Sequence, residues 1–141
     1  MYTFWKRTFL HPSLLAFDAP SREACEARRP ISNTPLQALV LLNDPTYVEA
    51  ARAFAIRAMT EGGGSPAQRI TWIMRQAVGR RPHAEEIATL SELYADKLAR
   101  YEANESDAVA LAEVGAFRAP ADIDVVELAA WTVVKIGRAH V

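Results

Sequence analysis

Along the chain, apolar residues recur at helical spacing, and no run of useful length alternates apolar with polar positions. Val48, Ala51, Phe54, Ala55 and Ala58 share one face of a helix predicted over 45–60. Ile70, Ile73, Met74, Ala77 and Val78 do the same for a helix opened by Ser65-Pro66 and stopped by Gly79. Ile87, Leu90, Tyr94, Leu98 and Tyr101 mark a longer helix over 84–103. SDAVALAEVG predicts a shorter helix ending at Gly115, and VVELAAWTVVK a last one capped by Asp124. The expected fold class is all-α: an irregular N-terminal segment, then about five or six short-to-medium helices packed as a bundle.

Residues 33–45, NTPLQALVLLNDP, are the most tightly specified stretch. Thr34, Pro35 and Gln37 form a capping-box pattern with Pro at the first helical position. LQALVLLN then predicts a short helix apolar on nearly all sides, hence one buried on nearly all sides. Asn43 is expected to close it in a left-handed conformation, and Asp44-Pro45 to start the next helix. Glu49 and Arg52 are spaced to pair on the outer side of that helix, and EGGGS after it reads as a flexible break. Pro12 and Pro20 predict irregular backbone over 10–23, and Ser21 a cap for a short helical turn closed by Pro30.

The chain has 141 residues, is half hydrophobic, and carries a net charge of −1. That composition belongs to a globular domain. Charge is uneven: residues 1–81 hold 11 Lys/Arg and 6 Asp/Glu, a net of +5, while 82–141 hold 5 and 11, a net of −6. The expectation is that the two halves dock on each other. The basic residues are scattered rather than clustered in a stripe, so no nucleic-acid partner is expected. No apolar run reaches the roughly 20 residues of a membrane span, and the sequence contains no charged-then-apolar signal segment.

Candidate chemistry is sparse. His11, His83 and His140 lack metal-ligand spacing, so no metal site is expected, and the lone Cys25 excludes a CxxCH haem attachment. Cys25 is expected to be a buried small residue. Gly63-Gly64-Ser65-Pro66-Ala67 lacks the strand of a nucleophile elbow and reads as a helix cap. The candidate cluster is polar: Asp18, Arg22, Glu23, Glu26, Arg28 and Arg29, followed by Asn33. One reading is a salt-bridge network that pins a loop. The other is an anion or carboxylate pocket built from Arg forks, walled by Phe4, Trp5 and Phe17. Trp72 and Trp131 read as core.

Three motifs in order, YTFWKRT, SLLAFDAPSREACEARR and NTPLQALVLLNDPTYVEAARAFA, resemble a conserved block of a domain of unknown function in large planctomycete proteins. AVGRRPHAEEIATL, the EVG turn and ELAAWTVV extend the resemblance to about residue 134. In that family the domain is C-terminal and often accompanies a planctomycete-type cytochrome c domain. The resemblance implies an exported, extracytoplasmic protein, with haem c elsewhere in the parent chain and no cofactor in this segment. IGRAHV, residues 136–141, matches the conceptual translation of a common sequencing adapter. Residues 1–134 are therefore expected to be the helical part of one larger domain in a metagenomic fragment, and 135–141 to be non-biological. The expected role is a scaffold or binding segment partnered by the rest of the parent chain, with a carbohydrate as candidate ligand. The alternative is part of an enzyme, a hydrolase or oxidoreductase acting on polysaccharide-derived material, its site shared with a missing N-terminal region.

Overall fold

The computed structural model describes residues 9–20, 25, 27, 28, 30–120 and 122–137. Among them the secondary structure is all helical: α1 Pro12–Ala16, α2 Pro35–Asn43, α3 Pro45–Glu61, α4 Pro66–Val78, α5 Ala84–Ala103, α6 Glu105–Ala112 and α7 Val125–Gly137. No described helix is long and apolar enough to cross a membrane. The chain divides into two compact units, Met1–Asn43 and Asp44–Val141.

In the first unit, α1 forms where irregular backbone was expected. Pro12 occupies the first helical turn, where a missing N–H costs nothing, and His11 Nδ1 accepts from the Ser13 N–H at 3.3 Å. The expected helical turn after Ser21 falls largely on residues outside the described set. At α2 the capping box is present: Gln37 N–H donates to Thr34 Oγ1 and Thr34 N–H to Gln37 Oε1, each at 3.4 Å. Two details of α2 depart from expectation. Asn43 stays helical and donates its side-chain N–H to the Leu39 carbonyl at 2.8 Å. No residue of α2 is buried, and Leu36, Leu39 and Leu42 are 57%, 57% and 45% exposed. Among the described helices of its unit, α2 packs against the five-residue α1, which is too short to enclose an apolar helix.

The second unit is a bundle around α7, which packs against α3, α5 and α6, while α4 lies on α3 and α5. α7 is apolar around most of its circumference, and here that pattern does mean burial: Leu128, Ala129, Ala130, Trp131 and Val134 are enclosed. Ile70, Ile73 and Met74 from α4, Leu90, Tyr94 and Tyr101 from α5, and Ala108 from α6 complete this core. Ala55 and Ala58 are small enough to let α3 approach α7 closely. Ile136 joins Val48 and Ala51 in a smaller cluster.

Caps set the boundaries as the sequence indicates. Asp44 accepts from Thr46 N–H at 2.9 Å ahead of Pro45. Ser65 and Gln68 form a reciprocal capping box on α4, the role expected for that Ser, and Gly79 closes the helix. Asp124 Oδ1 accepts from Val126 and Glu127 N–H groups at the start of α7. Ala77 and Val78, expected to face inward, are exposed at the end of α4. The EGGGS break is more constrained than a flexible linker. Gly62 is buried, a Cβ there would overlap the Ala58 carbonyl, and Arg69 Nε donates to the Gly63 carbonyl at 3.0 Å.

Candidate functional site

Of the polar cluster, Arg22, Glu23, Glu26 and Arg29 lie outside the described residues, as do Phe4 and Trp5. Asp18 is its organised member. Its φ of 55° is left-handed, and the backbone around it closes α1 in a Schellman motif. Asp18 N–H donates to the Leu15 carbonyl at 3.2 Å, and Ala19 N–H to the Leu14 carbonyl at 3.0 Å. Asp tolerates this conformation better than most residues, because its short polar side chain can bond locally. Its Oδ2 accepts from Ser32 Oγ at 2.6 Å, Ser32 N–H at 2.8 Å and Gln37 Nε2 at 3.4 Å. Asp18 thereby ties the end of α1 to the start of α2.

Arg28 and Asn33 stand exposed, and neither makes a hydrogen bond or ion pair among the described residues. Phe17 is half-buried. Cys25 is exposed, not buried as expected: the described residues around it, Ala27, Arg28 and Pro30, form no helix and are exposed too.

In the second unit, charged groups missed by the sequence reading form two nodes. Arg52 is 0% exposed, and it does not pair with Glu49. Its guanidinium donates to the backbone carbonyls of Val114 at 2.6 Å, Leu111 at 3.3 Å and Phe117. Glu49, one turn earlier, accepts from the N–H groups of Ala116 and Phe117. Together they clamp the turn after α6 through donors and acceptors of its own backbone. Gly115 sits in that turn with φ 88°, and a Cβ there would overlap the Glu49 carboxylate. A signal was present in the sequence: Arg52 falls four residues after Val48 and three before Ala55, in the middle of the apolar stripe.

The second node gathers on Glu127. Its Oε1 accepts from Arg69, from Tyr94 Oη at 3.3 Å and from Trp131 Nε1 at 3.3 Å. Tyr94 stacks on Trp131 with centroids 4.3 Å apart, and the Arg69 guanidinium lies 5.8 Å from the Trp131 ring. Burial, and then the Glu127 carboxylate, push the Tyr94 hydroxyl up to about 12. The Arg69–Glu127 pair joins the basic and acidic parts of the chain inside this unit, as does Arg80 with Glu86. The Arg80 guanidinium first, and the His83 N–H second, lower Glu86 to about 2. Among the described residues, no three or more His, Cys, Asp and Glu side chains are grouped to hold a metal ion.

A family model described as "PSD1: Protein of unknown function (DUF1553)" matches residues 1–94, two thirds of the 141. The chain belongs to that family. No curated protein and no solved structure matches it significantly.

Proposed function

We propose that this member of the DUF1553 family is a helical scaffold and binding segment of a large exported multidomain protein. The observation that supports the reading is where the buried and half-buried charges go. Arg52 donates to three backbone carbonyls, and Glu49 accepts from two amides of the same turn. Glu127 takes three donors on one oxygen. A catalytic charge needs a face turned to substrate, whereas these are directed at the chain itself. The proposal takes the rest of the parent chain as partner, with haem elsewhere in it and an extracytoplasmic location, on the strength of the sequence resemblance.

A second reading has one observation in its favour. Asp18 holds a left-handed backbone in the same surface segment as the uncommitted Arg28, a pattern compatible with a site completed by another part of an enzyme acting on polysaccharide-derived material. The parent protein carrying Asp18→Ala or Arg28→Ala separates the two readings by melting temperature and by retention on acidic and neutral glycans. The scaffold reading expects Asp18→Ala to lower the melting temperature by a few degrees, Arg28→Ala to leave it unchanged, and retention to be the same in both. Loss of retention or turnover at unchanged melting temperature would transfer the role to the Asp18 segment.

A further inference from the structure

α4 carries a surface that neither charged node uses. An open groove of about 780 Å3 follows the helix from Gln68 to Gly79, with Thr71, Trp72, Arg75 and Gln76 along it. At 1.5 Å of rise per residue this stretch is about 16 Å long, enough for an extended ligand rather than a single small molecule.

Its side chains are placed in different ways. Trp72 is half-buried and held by Phe54, whose ring centroid lies 5.4 Å away, and by the Arg57 guanidinium, 5.4 Å from the indole. Its indole N–H makes no hydrogen bond among the described residues, and it is not a buried, unsatisfied group. Arg75 and Gln76 are exposed, with no side-chain hydrogen bond or ion pair among the described residues. Among the described residues, Arg75 is the only charged one lining the groove.

This chemistry suits a particular class of ligand. A helical wall offers no free backbone edge to pair with an extended peptide. An aromatic wall flanked by amide and guanidinium donors instead matches an amphipathic sugar, with C–H faces for the ring and hydroxyls for the polar groups. With Arg75 as the sole charge among the described lining residues, the groove selects a sugar bearing an anionic group that Arg75 can hold in its fork.

We propose that the α4 groove binds an anionic oligosaccharide, with Trp72 as its apolar wall, Gln76 and the Nε2 of Gln68 (whose Oε1 caps the helix at Ser65) as hydroxyl partners, and Arg75 on the carboxylate or sulfate. The proposal rests on the binding role above and gives it a ligand class, at a place apart from the Asp18 segment.

Affinity electrophoresis of the full chain through gels containing polygalacturonate, a sulfated galactan, a neutral galactan or polyglutamate tests it. Retardation is expected in one or both anionic polysaccharides, and the arm that responds identifies carboxylate or sulfate as the anion. Arg75→Gln should weaken that binding about tenfold and Gln76→Ala several-fold, since both side chains are exposed and the fold does not depend on them. Added salt should weaken it as well. Asp18→Ala and Arg28→Ala should leave it unchanged. Absence of retardation in every gel overturns the proposal, as does equal retardation by neutral galactan or polyglutamate, or binding indifferent to Arg75→Gln. Loss of binding in Arg28→Ala with Arg75→Gln unaffected would overturn this groove while keeping a binding role for the segment.

Discussion

Replacing Arg52 by Met keeps much of the buried stem and removes the donors that the Leu111, Val114 and Phe117 carbonyls share. The expected loss is about 3 kcal/mol by chemical denaturation, because buried acceptors are left without partners. Arg52→Lys should recover only part of it, since an ammonium on a shorter reach does not reproduce the planar fork. Gly115→Ala should cost about 1–3 kcal/mol, from the left-handed φ and from overlap with Glu49. In the double variant with Glu49→Ala the overlap disappears and the backbone strain remains, so the two effects should fall short of additive. Asp18 separates backbone from side chain in the same way. Asp18→Gly keeps the turn and loses the carboxylate, whereas Asp18→Ala loses both, and thermal unfolding should rank Asp18→Ala as the less stable.

At the scale of elements, the start of α5 depends on pH through Glu86. Its folded pKa, about 2, lies below that of an unfolded glutamate, so the folded state favours the charged form. The stabilisation is complete above the unfolded value near 4.3 and is lost as pH falls from there through about 2. Glu86→Gln should therefore flatten the melting temperature across that window relative to wild type and leave the slope at neutral pH unchanged. Helix α2 offers a different check. Leu36, Leu39 and Leu42 are exposed, so Leu39→Lys should alter stability by no more than about 0.5 kcal/mol. A loss of several kcal/mol would instead mean that the stripe is covered in solution. Most element boundaries were legible in the sequence, because caps are local. Thr34, Asp44, Ser65 and Asp124 bond to amides two or three residues away, whatever the rest of the chain does.

For the whole molecule, the second unit stands on α7. Trp131 is 0% exposed, stacks on Tyr94 and donates to Glu127, so Trp131→Ala should cost about 3–5 kcal/mol. Far-UV circular dichroism should then show the helical signal of α3–α7 melting at much lower temperature. Tyr94 adds an alkaline limit. Its folded pKa of about 12 exceeds the unfolded value near 10, so its share of stability is intact below 10 and declines from there through 12. Tyr94→Phe should lose that decline while keeping the stack.

The sequence by itself determined that the chain is helical, where most helices start and stop, and which stripes of α3, α4 and α5 are apolar, since these follow from spacing and from bonds between near neighbours. It could not determine burial. LQALVLLN and ELAAWTVV read alike as helices apolar on nearly every side, yet no residue of α2 is buried while α7 is enclosed by three helices. Nor could spacing assign Glu49 and Arg52, which look like a surface pair and instead reach a turn more than sixty residues away. Periodicity fixes which side of a helix a residue occupies. What meets that side is decided by segments distant in sequence, and only tertiary packing brings them there.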